Sequence, residues 1–119
     1  MAYLRCLELF NSGQYWLAHE ALEGLWRRTE DLTRRMFYQG IIQLAAAFVH
    51  IERGNMAGGS SLLRKASDKL ARCPSQYLGL QPQTLCASIS RVIAATDVTA
   101  TNWVFDWALK PRLCLEQAE

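Results

Sequence analysis

The sequence predicts an all-α fold, a compact bundle of about five helices built from two helical hairpins and followed by an irregular C-terminal tail. Apolar residues recur at helical rather than strand spacing along almost the whole chain. Glycine-containing stop signals interrupt that pattern: Asn11-Ser12-Gly13 ends one helix, and Gly54-Asn55 separates two others. Pro82 is placed to open the last helix. These signals predict helices joined by short turns.

The five helices are expected at about residues 3–10, 14–28, 31–53, 55–72 and 83–95. In the second helix the apolar stripe Tyr15, His19, Leu22 and Trp26 follows the spacing i, i+4, i+7, i+11, so His19 and Trp26 lie on or beside its buried face. The third helix is apolar on nearly every side, which predicts a central position in the bundle. Asn55 is the expected N-cap of the fourth.

The C-terminal part carries weaker signals. Residues 73–79 predict a turn and residues 99–102 a loop. The alternation of Trp103, Phe105 and Trp107 is typical of an irregular segment, and Pro111 breaks any helix there. We expect this tail to pack its tryptophans on the helical core without forming a sheet.

The two expected hairpins resemble each other. Gly13 and Gly54 lie 41 positions apart, and the same offset aligns Tyr15 with Met56, Ala18 with Gly59, and Leu22 with Leu63. The glycine turns also resemble those of tetratricopeptide hairpins, but a solenoid needs at least about three such units. One compact bundle is the better prediction.

Length and composition restrict the class of protein. A chain of 119 residues, half of them apolar and 20% charged, predicts a single globular domain over residues 1–119. The net charge of +2 is small, so no nucleic-acid partner is expected. The longest uncharged stretch, residues 36–51, is shorter than the roughly 20 residues that a membrane-spanning helix needs, so no membrane partner is expected either.

The four cysteines, Cys6, Cys73, Cys86 and Cys114, fall into no C-x-x-C pair, so they predict neither a zinc knuckle nor a redox motif. Buried free thiols are expected. The N-terminus lacks the features of a signal peptide, and a reducing compartment, most simply the cytoplasm, follows.

The candidate functional centre is a set of polar side chains on apolar helix faces. Such groups cost about 1–3 kcal/mol each unless they find partners, so they form either a hydrogen-bond network or a site. The set comprises His19, Glu20, Glu23, Trp26, Arg27, Gln39, Gln43, His50 and Asn55. His19 and His50 are the two histidines of the chain.

These residues stand in a long motif: Asn11-x-Gly13-x-Tyr15, then His19-Glu20-x-x-Glu23-x-x-Trp26-Arg27, then Gln39-Gly40-x-x-Gln43, then His50-x-x-x-Gly54-Asn55. Over about residues 10–79 the chain resembles the small all-helical family known as domain of unknown function 309. The resemblance implies a compact helical fold and brings the label "predicted metal-dependent hydrolase", without an established reaction. Two departures are Gly24, where the family usually has a second acidic residue, and Gly58-Gly59, where it usually has Gly-Ala.

The metal hypothesis assigns His19, Glu23 and His50 as ligands. His19 and Glu23 stand at i, i+4 on one helix, and an antiparallel third helix brings His50 near them. Two histidines and one carboxylate match the ligand count of catalytic zinc, with Glu20 as general base through the metal-bound water. A divalent metal such as zinc is the implied cofactor.

Two other hypotheses stand beside it. In a structural network, Gln39 and Gln43 satisfy the histidines, Glu23 pairs with Arg27 or Arg34, and Trp26 donates its indole N–H within the core. In a protein- or peptide-binding module, the aromatic rings of Trp16, Tyr38 and the tail line a groove. The activity is not readable from the sequence, and a protein partner and a homo-oligomer both remain open.

Overall fold

Five α-helices follow one another in the computed structural model, which describes residues 1–102 and 105–115, with side chains described for residues 1–97 and 105–115. They are α1 (Ala2–Asn11), α2 (Tyr15–Arg28), α3 (Leu32–Glu52), α4 (Met56–Leu70) and α5 (Pro82–Asn102). A short 3₁₀ turn, Trp107–Leu109, comes after them. Each α-helix packs against the α-helix that follows it in sequence. The all-α prediction is confirmed.

The turns of the two hairpins have the same geometry. Gly13 follows α1 with φ +85° and Gly54 follows α3 with φ +82°, a left-handed conformation that glycine adopts without strain. Of the positions aligned by the 41-residue offset, Ala18 and Gly59 are both buried, and so are Leu22 and Leu63. The expected resemblance between the hairpins therefore extends to their packing.

Helix α3 lies between α2 and α4. Two glycines permit its close approach to α4. A Cβ at Gly40 would stand 3.1 Å from the Leu70 side chain, and one at Gly59 would stand 2.6 Å from Ile51 Cγ1 and 3.2 Å from the carbonyl oxygen of Ala47. These contacts join the start of each helix to the end of the other, so α3 and α4 are antiparallel. The predicted central position of α3 is thus observed.

The prediction of a loop at residues 99–102 is wrong, because α5 continues to Asn102. Threonine lowers helix propensity only weakly, so the local preference against a helix there is small. Thr96 is buried in α5 and donates its hydroxyl to the carbonyl oxygen of Ile93 at 2.6 Å, so its polar atom costs little there. Trp103, part of the expected aromatic tail, lies outside the described residues.

The C-terminal segment is attached to the end of α1. Asn11 donates its side-chain amide to the carbonyl oxygen of Leu113 at 2.9 Å, and its side-chain oxygen accepts from the Leu113 N–H at 2.8 Å. Lys110 Nζ donates to the carbonyl oxygens of Phe10 and Asn11 at 3.1 and 3.3 Å. Partial burial, and then the charge of Arg112, lower the pKa of Lys110. Phe105 is buried, and Trp107, one of the tryptophans expected to pack on the core, stacks on Tyr15 but remains 43% exposed.

The cysteines differ in exposure. Cys6 and Cys73 are buried, Cys86 is half-buried and Cys114 is exposed. All four thiols are free, but the expectation that all are buried is wrong for Cys114. Among the described residues, no helix combines the length and the apolar character that crossing a membrane requires.

Candidate binding cleft

A cleft of about 270 Å³ opens between α2 and α3, at the end of the bundle where α2 begins and α3 ends. It is lined by Trp16, His19, Ala46, Val49, His50 and Arg53. Because α2 and α3 are antiparallel, the first turns of α2 stand beside the last turns of α3. The sequence predicted that this arrangement brings His50 near His19, and the two histidines do line the same cleft.

Trp16 forms one side of this cleft and remains 53% exposed. Its ring centroid is 5.4 Å from that of His19, with the planes tilted by 39°. The guanidinium carbon of Arg53 lies 6.0 Å from the Trp16 ring centroid, at the outer limit of a cation–π contact. Ala46 and Val49 supply the apolar part of the lining. The cleft is therefore bounded by an exposed aromatic ring, two imidazoles and a cation.

His19 is held by a ladder of charged side chains along α2. Its Nε2 lies 3.3 Å from Glu23 Oε2, and the other carboxylate oxygen of Glu23 accepts from Arg27 Nη2. Glu23 thus pairs with Arg27, as the network hypothesis predicted. With Nε2–H donating to Glu23, Nδ1 of a neutral His19 is left as an acceptor. That Nδ1 is buried and finds no hydrogen-bond partner among the residues that the structure describes.

His50 is held from the start of α4. Asn55 caps that helix as predicted, its Oδ1 accepting from the Gly58 N–H at 3.0 Å, so its amide nitrogen is free to donate. This nitrogen lies 3.0 Å from His50 Nδ1. His50 Nδ1 is therefore the acceptor, and the proton of the neutral ring belongs on Nε2. Gly58 permits the contact, because a Cβ there would stand 2.6 Å from the Asn55 amide nitrogen and 2.9 Å from His50 Nδ1.

The remaining polar residues do not join these two groups into one network. Trp26 lies under Arg35, whose guanidinium carbon is 4.5 Å from the ring centroid. The indole nitrogen of Trp26 and the side-chain oxygen of Gln43 are both buried, and neither has a hydrogen-bond partner in the described part of the chain. Within the part of the chain whose side chains are described, Gln39 makes no side-chain hydrogen bond either. The glutamines do not satisfy the histidines as the network hypothesis predicted.

As arranged here, the polar set does not fit a catalytic zinc ion. Within residues 1–97 and 105–115, no three His, Cys, Asp or Glu side chains come together closely enough to hold a metal. Glu23 is engaged by His19 and Arg27, and the Nδ1 lone pair of His50 is engaged by Asn55. Glu20, the expected general base, is exposed on α2 and does not line the cleft. The assignment of His19, Glu23 and His50 as ligands stays a prediction.

Two further aromatic residues were expected at a groove and lie elsewhere. Tyr38 is buried, with its ring centroid 5.9 Å from that of Tyr3. Trp107 stacks on Tyr15 at 6.1 Å and remains 43% exposed. Arg53 is the lining residue that sequence reasoning missed. Its spacing of three from His50 places both on one face of α3, and that was the available signal.

The fold and the cleft define a small helical domain assembled from two similar hairpins. The model of the family described as "Domain of unknown function (DUF309)" matches residues 3–62, half of the chain, and the chain belongs to that family. The match begins earlier than the expected residue 10 and ends within α4. It covers every residue that lines the cleft.

Two similar proteins are themselves uncharacterised. An "Uncharacterized protein" of Aquifex aeolicus (strain VF5) is 26% identical over 89 residues, which are 75% of this chain and 27% of that protein. "Uncharacterized protein YpuF" of Bacillus subtilis (strain 168) is 36% identical over 63 residues, which are 52% of this chain and 36% of YpuF. The chain therefore spans about a third or less of the length of these relatives, and they establish no activity for it.

Proposed function

We propose that this chain is a protein-binding module that holds an apolar side chain of a partner's peptide segment in the cleft between α2 and α3. The observation that carries the proposal is the half-exposed indole of Trp16 on the wall of that cleft. An exposed aromatic ring beside a concave apolar surface is a typical anchor of protein interfaces. Leu17, the next residue of α2, is also 49% exposed, although it does not line the cleft.

The size of the cleft favours a side chain over a whole small molecule. Its volume of about 270 Å³ is below the roughly 300–1,000 Å³ of pockets that enclose drug-sized ligands. One large apolar side chain fills a space of that order, and the rest of its peptide would lie across α2 and α3. A groove between two helices is a common place for such binding.

The relatives support a modular role. The shared region is 27% of the Aquifex aeolicus protein and 36% of YpuF. A region that recurs inside longer chains suits a unit that connects one protein to another. His19 lines the cleft, but its buried Nδ1 and the buried polar atoms of Trp26 and Gln43 take no part in this proposal.

The test is selection of peptides from a displayed random library on the wild-type domain, followed by measurement of their affinity for variants. We expect selected peptides to bind Trp16→Ala at least about tenfold more weakly, as loss of an interface hot spot requires. Leu32→Ala is the matched control, because Leu32 is 81% exposed and lies outside the cleft. Failure to enrich any peptide, or equal affinity for Trp16→Ala, would overturn the proposal.

A further inference from the structure

We infer that the peptide segment taken by the α2–α3 cleft carries a carboxylate beside its apolar anchor, so that the partner is an acidic peptide. The inference rests on the proposed function and specifies the ligand of the same site. It follows from the charges and the hydrogen-bond donors that the cleft presents.

Among the described residues, those that line the cleft carry positive charge and no carboxylate. Arg53 is a full cation, His19 and His50 are imidazoles, and the other lining residues, Trp16, Ala46 and Val49, are uncharged. The negative charge of Glu23, which contacts His19, is balanced by the guanidinium of Arg27. Glu52 precedes Arg53 in the chain and does not line the cleft; its charge reaches Tyr15, whose pKa is raised by burial and then by Glu52. The field inside the cleft therefore favours an anion.

The guanidinium of Arg53 has N–H groups that are available to donate hydrogen bonds to a ligand. Among the residues whose side chains are described, none forms an ion pair or a side-chain hydrogen bond with the Arg53 guanidinium, whose carbon lies 6.0 Å from the Trp16 ring centroid. By contrast, Arg27 and Arg72 pair with Glu23 and Asp68. A guanidinium presents five N–H groups in a planar fork that matches the two oxygens of a carboxylate.

His50 adds a second directional donor. Because Asn55 donates to Nδ1 at 3.0 Å, the neutral ring carries its proton on Nε2. His50 and Arg53 stand at i, i+3 on α3, and both line the cleft. A carboxylate that accepts from both would lie beside Ala46 and Val49, which contact the apolar anchor.

The experiment compares three capped dipeptides of equal size: acetyl-Leu-Glu-amide, acetyl-Leu-Gln-amide and acetyl-Leu-Lys-amide. Binding is followed by NMR through the indole N–H of Trp16, with the intact chain as the sample. We expect the Glu dipeptide to bind about fivefold more tightly than the Gln dipeptide, the upper end for a partly exposed ion pair. The Lys dipeptide should bind most weakly, and added salt should reduce the preference for Glu.

Variants test the role of Arg53. Arg53→Ala should abolish the preference for Glu over Gln, and Arg53→Glu should transfer it to the Lys dipeptide. Arg28→Ala is the matched control, because Arg28 is exposed on α2 and lies outside the cleft. It should leave all three affinities unchanged.

The failure of this inference is distinguishable from failure of the proposed function. Equal binding of the Glu and Gln dipeptides would overturn the requirement for a carboxylate and leave an apolar cleft that binds peptides. A Glu preference that survives in Arg53→Ala would overturn the assigned donor. If none of the dipeptides shifts the Trp16 signal, the inference is wrong, and the library selection decides the proposed function by itself.

Discussion

Gln43 provides a direct test of the polar residues that lie between the helices. Its side-chain oxygen is buried and has no hydrogen-bond partner among the described residues. An unpaired buried acceptor costs about 1–3 kcal/mol relative to a solvated one. Gln43→Met keeps the shape of an unbranched side chain and removes the polar atoms, so we predict that it raises the free energy of unfolding.

The expected gain in the free energy of unfolding is about 1–2 kcal/mol. It is smaller than the full cost of the unpaired oxygen, because the methionine side chain loses some rotamer freedom and fits imperfectly. For a chain of 119 residues, 1 kcal/mol corresponds to a change of roughly 4 °C in Tm. The predicted increase in Tm is therefore about 4–8 °C. Gln39→Met is the matched control on the same helix, one turn earlier. Gln39 is half-buried, and within the described part of the chain it has no buried side-chain polar atom that lacks a partner. The Tm of the Gln39→Met variant should therefore differ from that of the wild type by less than about 2 °C.

The assay is thermal unfolding followed by circular dichroism, with urea unfolding to check that the m-value is unchanged. Destabilisation of Gln43→Met by more than about 1 kcal/mol would refute the reasoning. It would show that the amide is hydrogen-bonded, for instance through a water shared with the Trp26 indole N–H, and it would restore the structural-network hypothesis.

Three more predictions follow from the fold and the polar residues. Gly24→Ala should raise the free energy of unfolding by about 0.5–1 kcal/mol, because a Cβ at this exposed position inside α2 would meet only Arg28 Nη1 at 3.5 Å; a loss of stability in urea unfolding would contradict this. Burial raises the pKa of the Cys6 thiol from 9.0 to about 12, so above pH 9 the unfolded chain releases a proton that the folded one keeps, and stability should fall by up to about 1.4 kcal/mol per pH unit. Cys6→Ala should be less stable at pH 8 but lose less between pH 9 and 10 in urea unfolding, and an identical slope would contradict the assignment. Elemental analysis of tag-free protein should find no stoichiometric zinc, iron or manganese, since the donor set does not fit an ion; near-stoichiometric metal that is lost in a folded His19→Ala, His50→Ala double variant would support the hydrolase hypothesis instead.

The first four helices could be predicted to within two residues at each end because residues near their boundaries start or stop a helix through local interactions. Glycines with positive φ end α1 and α3, and Asp31 and Asn55 accept hydrogen bonds from the first turns of α3 and α4. The C-terminal half of α5 could not be predicted in this way. Its threonines and Asn102 favour no helix locally, and the packing of α5 on α4 joins residues that are distant in sequence.

The candidate site could be predicted only in part. Helical spacing and short turns were sufficient to place His19 and His50 on facing helices. Their partners depend on side-chain rotamers and on a missing Cβ at Gly58, which lets the Asn55 amide reach His50. The periodicity of the sequence does not predict such a contact. It also does not predict that the Arg53 guanidinium has no ion pair or side-chain hydrogen bond among the described residues.

The position of the cleft follows from the two hairpins. Gly13 and Gly54 both turn the chain at the same end of the bundle, because α2 starts where α3 ends. The residues just after the first turn, Trp16 and His19, therefore face those just before the second, His50 and Arg53. In the second hairpin, the equivalent of Ala18 is Gly59, which lets α4 approach α3 closely and fills that side of α3. The cleft opens on the other side of α3, the side that faces α2.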